Sequence, residues 1–160
     1  MTKFPPLVQK VFDYCCLLGK EEPYFTGSRA MGVETPKSDW DIVMEIPNED
    51  IVSIARNMCT VFSGESLTEG PYVVNILNDR FIIEIHDTWL FGLLKTSPKI
   101  HVILENADYC NIERWKLATE YCKENKEIAR DKKERIKIFE YFGVPNSKKP
   151  HGDERFRELV

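Results

Sequence analysis

Apolar positions recur along the chain with two periods, and the switches between them outline the elements. From about residue 5 to 18, Val8, Val11, Phe12, Cys15 and Leu18 share one stripe at helical spacing, which predicts a helix. Pro5 and Pro6 suit its start and Gly19 its stop. "PYFTG" then reads as a short extended piece leading into a Gly27-Ser28 turn. In "SDWDIVMEI" the period becomes two. Trp40, Ile42 and Met44 alternate with Asp39, Asp41 and Val43, which predicts a strand ended by Pro47. Asn48 suits an N-cap, with Glu49 and Asp50 in a first turn that favours anions. Ile51, Ile54, Ala55, Met58 and Phe62 form the buried side of the helix that follows.

Two β-rich runs, "YVVNIL" and "RFIIEIHD", flank Asn78-Asp79 and predict a hairpin. "TWLFGLLK" predicts a helix, whereas "IHVIL" supports either a strand or the run-in to a helix. Asn111 suits the cap of a helix carrying Ile112, Trp115, Ala118 and Cys122. A highly charged helix from about 126 to 142 would turn Ile128, Ile136, Phe139 and Phe142 inward and stop at Gly143 and Pro145. The element order implies an α+β domain over residues 1–143, with a core at about 8–95, further C-terminal helices at about 107–143, and a polar tail at 144–160.

Composition narrows the picture. A chain of 160 residues suits one core, and 42% hydrophobic with 30% charged residues argues against disorder and fibrous repeats. No apolar run is long enough to span a bilayer, so no membrane association is expected. "MTKFPPLVQK" lacks a signal-peptide pattern, and the five cysteines show no metal-type spacing; reduced thiols and a cytoplasmic location are expected. The net charge of −4 argues against non-specific nucleic-acid binding. Late basic residues are interleaved with acids: Arg130, Lys133 and Lys137 line one helix face, Lys132 and Arg135 another. Either set could reach a triphosphate or a nucleic-acid acceptor; a solvated face is the plainer reading.

The chemistry concentrates in "FTGSRAMGVETPKSDWDIVMEI". Asp39 and Asp41 share a strand face with their stems roughly 6–7 Å apart, close enough to share cations. Magnesium prefers hard oxygen ligands and uses one or two carboxylates plus phosphate oxygens. Glu84, alone among apolar neighbours in "RFIIEIHD", is expensive unless it meets a cation or a hydrogen-bond partner. It is the expected third ligand, from a strand expected to adjoin the aspartates, with Asp87 as runner-up and a nearby Lys or Arg as its plainer partner. Gly27 lets backbone approach a ligand closely, and Ser28 offers a hydroxyl and an N–H, or is simply a turn residue. A helical turn opening near residue 29 would aim amides at a phosphate. His86, on the face of Glu84, reads as structural; Trp40, Trp89 and Trp115 read as core.

These residues resemble a known family. Gly-Ser, an interval of about ten residues, then Asp-x-Asp flanked by apolar positions is similar to the signature of the DNA polymerase beta-type nucleotidyltransferase superfamily, in its small stand-alone members. The likeness covers roughly residues 8 to 90. It implies a nucleotidyltransferase-like arrangement: a small mixed sheet with helices on one side, here with extra C-terminal helices. It also implies that Gly27 and Ser28, with Arg29 and Ser38, hold a nucleoside triphosphate. Asp39 and Asp41 would bind two magnesium ions, for which manganese can substitute. Glu84 would be the third ligand and catalytic carboxylate, where the family often has aspartate. The implied reaction moves a nucleoside monophosphate to an acceptor hydroxyl on a small molecule, a protein or an RNA end. The alternative is a nucleotide-binding or antitoxin-type module that works with a protein partner and transfers little or nothing.

Overall fold

In the computed structural model, which describes residues 4–18, 21–62, 72–76, 80–86 and 99–145, the stretches of period two pair into one sheet. The strands are β1 (Tyr24–Thr26), β2 (Trp40–Ile46), β3 (Tyr72–Ile76), β4 (Arg80–His86) and β5 (Lys99–Asn106). Their spatial order is β1-β2-β5-β4-β3. β2 and β5 run parallel and every other pair antiparallel, so the fold is α+β with a mixed sheet. The ambiguous "IHVIL" is thus a central strand. Ile100, Val102 and Leu104 are buried on one of its faces, and its backbone is paired on both sides.

β3 and β4 form the expected hairpin, with the turn at 77–79 outside the described residues, as are Gly19, the "TWLFGLLK" helix with Trp89, and Asp87. One expectation is corrected: β4 does not adjoin β2. A parallel neighbour of β2 needs a long crossover connection, and the chain supplies it between β2 and β5, which takes the place beside β2.

Helices cover both faces. On one, α1 (Pro6–Leu18) and α3 (Ile51–Val61) press Val8, Val11, Ala55 and Met58 against Ile42, Met44, Ile83 and Val102. Phe62, just after α3, joins that core. The opposite face carries Val43 and Ile103, covered by Ile112 and Trp115 of α4 (Ile112–Glu124) and by Val144. α4 starts where Asn111 Oδ1 accepts from the Arg114 N–H and Glu45 of β2 accepts from the Ile112 N–H, so two of its orphan donors are satisfied.

The charged helix expected at 126–142 is two helices, α5 (Lys126–Ala129) and α6 (Lys132–Tyr141). Asp131 accepts from the Lys133 N–H at 2.9 Å and opens a new N-terminus, because its carboxylate competes with the helical ladder. Ile128 falls before that break and is 46% exposed rather than inward. Asn48 does not cap α3 either. A 3₁₀ turn, Asn48–Asp50, precedes that helix, and the Asn48 side chain accepts from Asn106 Nδ2 at 2.7 Å. Val144 is buried, so packed chain continues past residue 143.

Candidate active site

Register aligns one residue from each strand in a row across the sheet: Thr26, Asp41, His101, Glu84 and Tyr72. Asp41, His101 and Glu84 therefore project from the same face. Asp39, just before β2, is brought to the same place: its Oδ1 accepts from the Lys99 N–H at 3.1 Å. The carboxylates converge on one imidazole. His101 Nδ1 lies 3.4 Å from Asp41 Oδ1 and 3.8 Å from Asp39 Oδ2, while Nε2 lies 3.3 Å from Glu84 Oε1. Lys99 Nζ approaches Glu84 Oε1 from the other side at 3.1 Å.

The electrostatics follow from this packing. Burial opposes charge on His101, but its hydrogen bonds to Asp41 and Glu84 and the field of Asp41 and Asp39 outweigh burial and raise its pKa to about 9. Burial likewise opposes the charged form of Glu84, but His101 and Lys99 lower its pKa to about 2. At neutral pH the centre of the cluster is an imidazolium among carboxylates.

Gly27 joins the motif to the cluster. Its φ is +78°, and a Cβ placed there would run into the Asp41 carboxylate. Only glycine allows the turn between β1 and α2 (Gly27–Met31) to lie on that side chain. Ser28 closes α2 through its carbonyl, which accepts from the Val33 N–H at 3.0 Å. Arg29 and Ser38 brace the loop that delivers the aspartates. Arg29 Nε donates to the Ser38 carbonyl at 2.9 Å, with its guanidinium 4.6 Å above the Trp40 ring. Ser38 Oγ accepts from the Thr35 N–H at 2.8 Å. Trp40 itself packs among Phe4 and Phe25.

Asp41 and Thr26 stand between two hollows. One, of about 270 Å³, runs from Gly27 and Asp41 under α6. The other, of about 880 Å³, extends around β1 past Trp40 and Lys116.

The donor set decides how a divalent cation would fit. Asp39 and Asp41 both aim hard oxygens at one point, now held by His101 Nδ1, and two carboxylates plus substrate phosphate oxygens suit magnesium. Glu84 lies across the ring and does not share that point; His101 and Lys99 are among its partners. Among the described residues, no group of three or more His, Cys, Asp or Glu side chains forms a ready-made metal site.

Sequence reasoning passed over His101 and Lys99. The signal was present: in "KIHVILEN", Lys99, His101, Ile103 and Glu105 alternate with an apolar face, the pattern of a strand with one chemically active side. Comparison of the chain with protein-family models and with curated proteins finds no match.

Proposed function

We propose that this chain is a magnesium-dependent nucleotidyltransferase. The observation that carries the reading is that Asp39 and Asp41 converge on one point while Asp41, packed against the Gly27 backbone, lines a cavity with it. An acceptor hydroxyl attacks the α-phosphorus of a nucleoside triphosphate. A P–O bond forms to the acceptor, the bond to the oxygen bridging to the β-phosphate breaks, and pyrophosphate leaves. Bound magnesium would neutralise phosphate charge and acidify the attacking hydroxyl. Asp39 and Asp41 hold that charge in place, Gly27 lets the turn before α2 lie against the Asp41 side chain, and Arg29 and Ser38 keep the delivering loop rigid. The test is a screen of the four labelled triphosphates with magnesium or manganese, read as released pyrophosphate and as label on protein, RNA or small acceptors. No pyrophosphate with any triphosphate defeats the reading.

A second reading, a nucleotide-binding or antitoxin-type module without transfer, draws on a specific observation. His101 already supplies positive charge to the carboxylates, and Glu84 stands two strands from Asp41. Triphosphate binding without pyrophosphate release would favour it.

A further inference from the structure

Strand alternation sets a second row of side chains beside the reactive one. Val43, Ile103 and Ile82 pair across β2, β5 and β4, two residues along from Asp41, His101 and Glu84. They stand on the same sheet face, roughly 7 Å from the charged row. Ile103 and Ile82 line the cavity of about 270 Å³, together with Trp115 of α4, Ile136 and Phe139 of α6, and Val144. Trp115, Ile103 and Val144 are buried; Ile82, Ile136 and Phe139 are half-buried. Asp41 and Gly27 line the same cavity, so an apolar chamber adjoins the proposed place of phosphoryl transfer.

Most polar groups lining this chamber have partners within the protein. Thr26 Oγ1 lies 2.8 Å from Thr119 Oγ1. Arg80 donates to Glu105 and to the Pro145 carbonyl, and Arg135 donates to the Ala129 carbonyl. Lys132 is exposed. A sugar, a nucleobase or a peptide buried here would leave several of its own donors and acceptors unpaired, a cost that disfavours all three. Size points the same way. About 270 Å³ falls just below the roughly 300–1,000 Å³ typical of sites for a drug-sized ligand, so the nucleotide belongs elsewhere. The hollow of about 880 Å³ past Trp40, also lined by Asp41, has the room. We infer that the smaller cavity holds the acceptor, and that the acceptor is a small, mostly apolar alcohol with its hydroxyl turned towards Asp41. This inference rests on the nucleotidyltransferase reading and names its acceptor class. The hydroxyl oxygen bonds to the α-phosphorus and its proton passes to solvent. The bond to the bridging oxygen breaks, and its electron pair leaves on pyrophosphate.

The test uses the full chain in magnesium with 4-fluorobenzyl alcohol, followed by fluorine NMR and then offered as acceptor in the pyrophosphate-release screen. Wild type should bind this alcohol, and neither glucose nor any of the four triphosphates should displace it. Ile136→Trp fills the chamber from its half-buried wall and should weaken binding at least about tenfold. Ile136→Ala enlarges it and should shift preference towards the bulkier 2-naphthylmethanol by about tenfold. These opposite shifts separate a change of chamber size from a variant that merely folds poorly. No binding to wild type overturns the inference, as does equal binding to Ile136→Trp or displacement by glucose or a triphosphate. If pyrophosphate is released with protein or RNA acceptors and never with the apolar alcohols, the inference falls and the nucleotidyltransferase reading stands. If no acceptor yields pyrophosphate, both fall together.

Discussion

One face of the sheet carries two charged clusters, and they are built on opposite plans. At one end, Arg80 Nε donates to Glu105 Oε2 at 2.7 Å, Trp115 Nε1 donates to the same oxygen at 2.9 Å, and Arg80 Nη1 donates to the Pro145 carbonyl at 3.1 Å. The two ionic side chains are only 4% and 3% exposed, and α4 and the chain after α6 close over them. Charge is balanced one for one. Burial still raises the Glu105 pKa, outweighing the attraction of Arg80 and the hydrogen bonds from Trp115 and Arg80. At the other end, among the described residues, three carboxylates share one imidazole and one ammonium, and Asp39 is 36% exposed. A sealed, balanced pair is a strut; an open cluster of carboxylates is where the proposed function would place a cation. The difference comes from where the C-terminal helices lie.

The contrast is open to attack. The largest effect is expected at the open cluster: Asp39→Ala or Asp41→Ala should lower nucleotide transfer by at least about a thousandfold, the scale of losing a group that positions and neutralises the reacting phosphate, while the protein stays folded with a lowered melting temperature, because His101 loses a partner. Unfolding in either variant would make that cluster a strut as well. At the sealed pair the order reverses. Glu105→Ala should cost about 3–5 kcal/mol in denaturant titration, since it strands a buried guanidinium, while the folded fraction keeps its activity. The double variant Arg80→Met with Glu105→Leu should recover most of that loss, and a double-mutant cycle reads the coupling directly.

The pH dependence of metal-free protein separates the clusters again. The Glu84 pKa is lowered from 4.5 to about 2, so its stabilisation is complete above pH 4.5 and is lost as pH falls towards 2. The His101 pKa is raised from 6.5 to about 9, so its stabilisation is complete below pH 6.5 and is lost as pH rises through 9. Stability should plateau between these limits, and His101→Gln should remove the alkaline decline. A decline that persists in this variant would place its cause elsewhere.

Smaller effects remain. Gly27→Ala forces a side chain to φ +78° against Asp41 and should cost about 1–3 kcal/mol, with weakened nucleotide affinity by calorimetry. Asn111→Ala removes one cap of α4 while Glu45 keeps the other, so a loss of about 1 kcal/mol at most is expected in thermal melts.

What could be read from the residues alone is what depends on near neighbours in the chain. Strand alternation put Asp39 and Asp41 on one side, and helical spacing marked Val8, Val11 and Cys15 as one stripe, because side-chain direction follows from local backbone geometry. Gly27 was legible as a close-approach turn for the same reason. Strand order was not legible. Which strand lies beside β2 depends on pairing between segments some 60 residues apart, as between Asp41 and His101, and no local pattern encodes that choice. Tertiary structure alone therefore placed His101 between Asp41 and Glu84, sealed Arg80 against Glu105, and laid Lys132 and Arg135 over the cavity. Each of these contacts joins residues far apart in the chain, and only the packed sheet and helices bring them within reach.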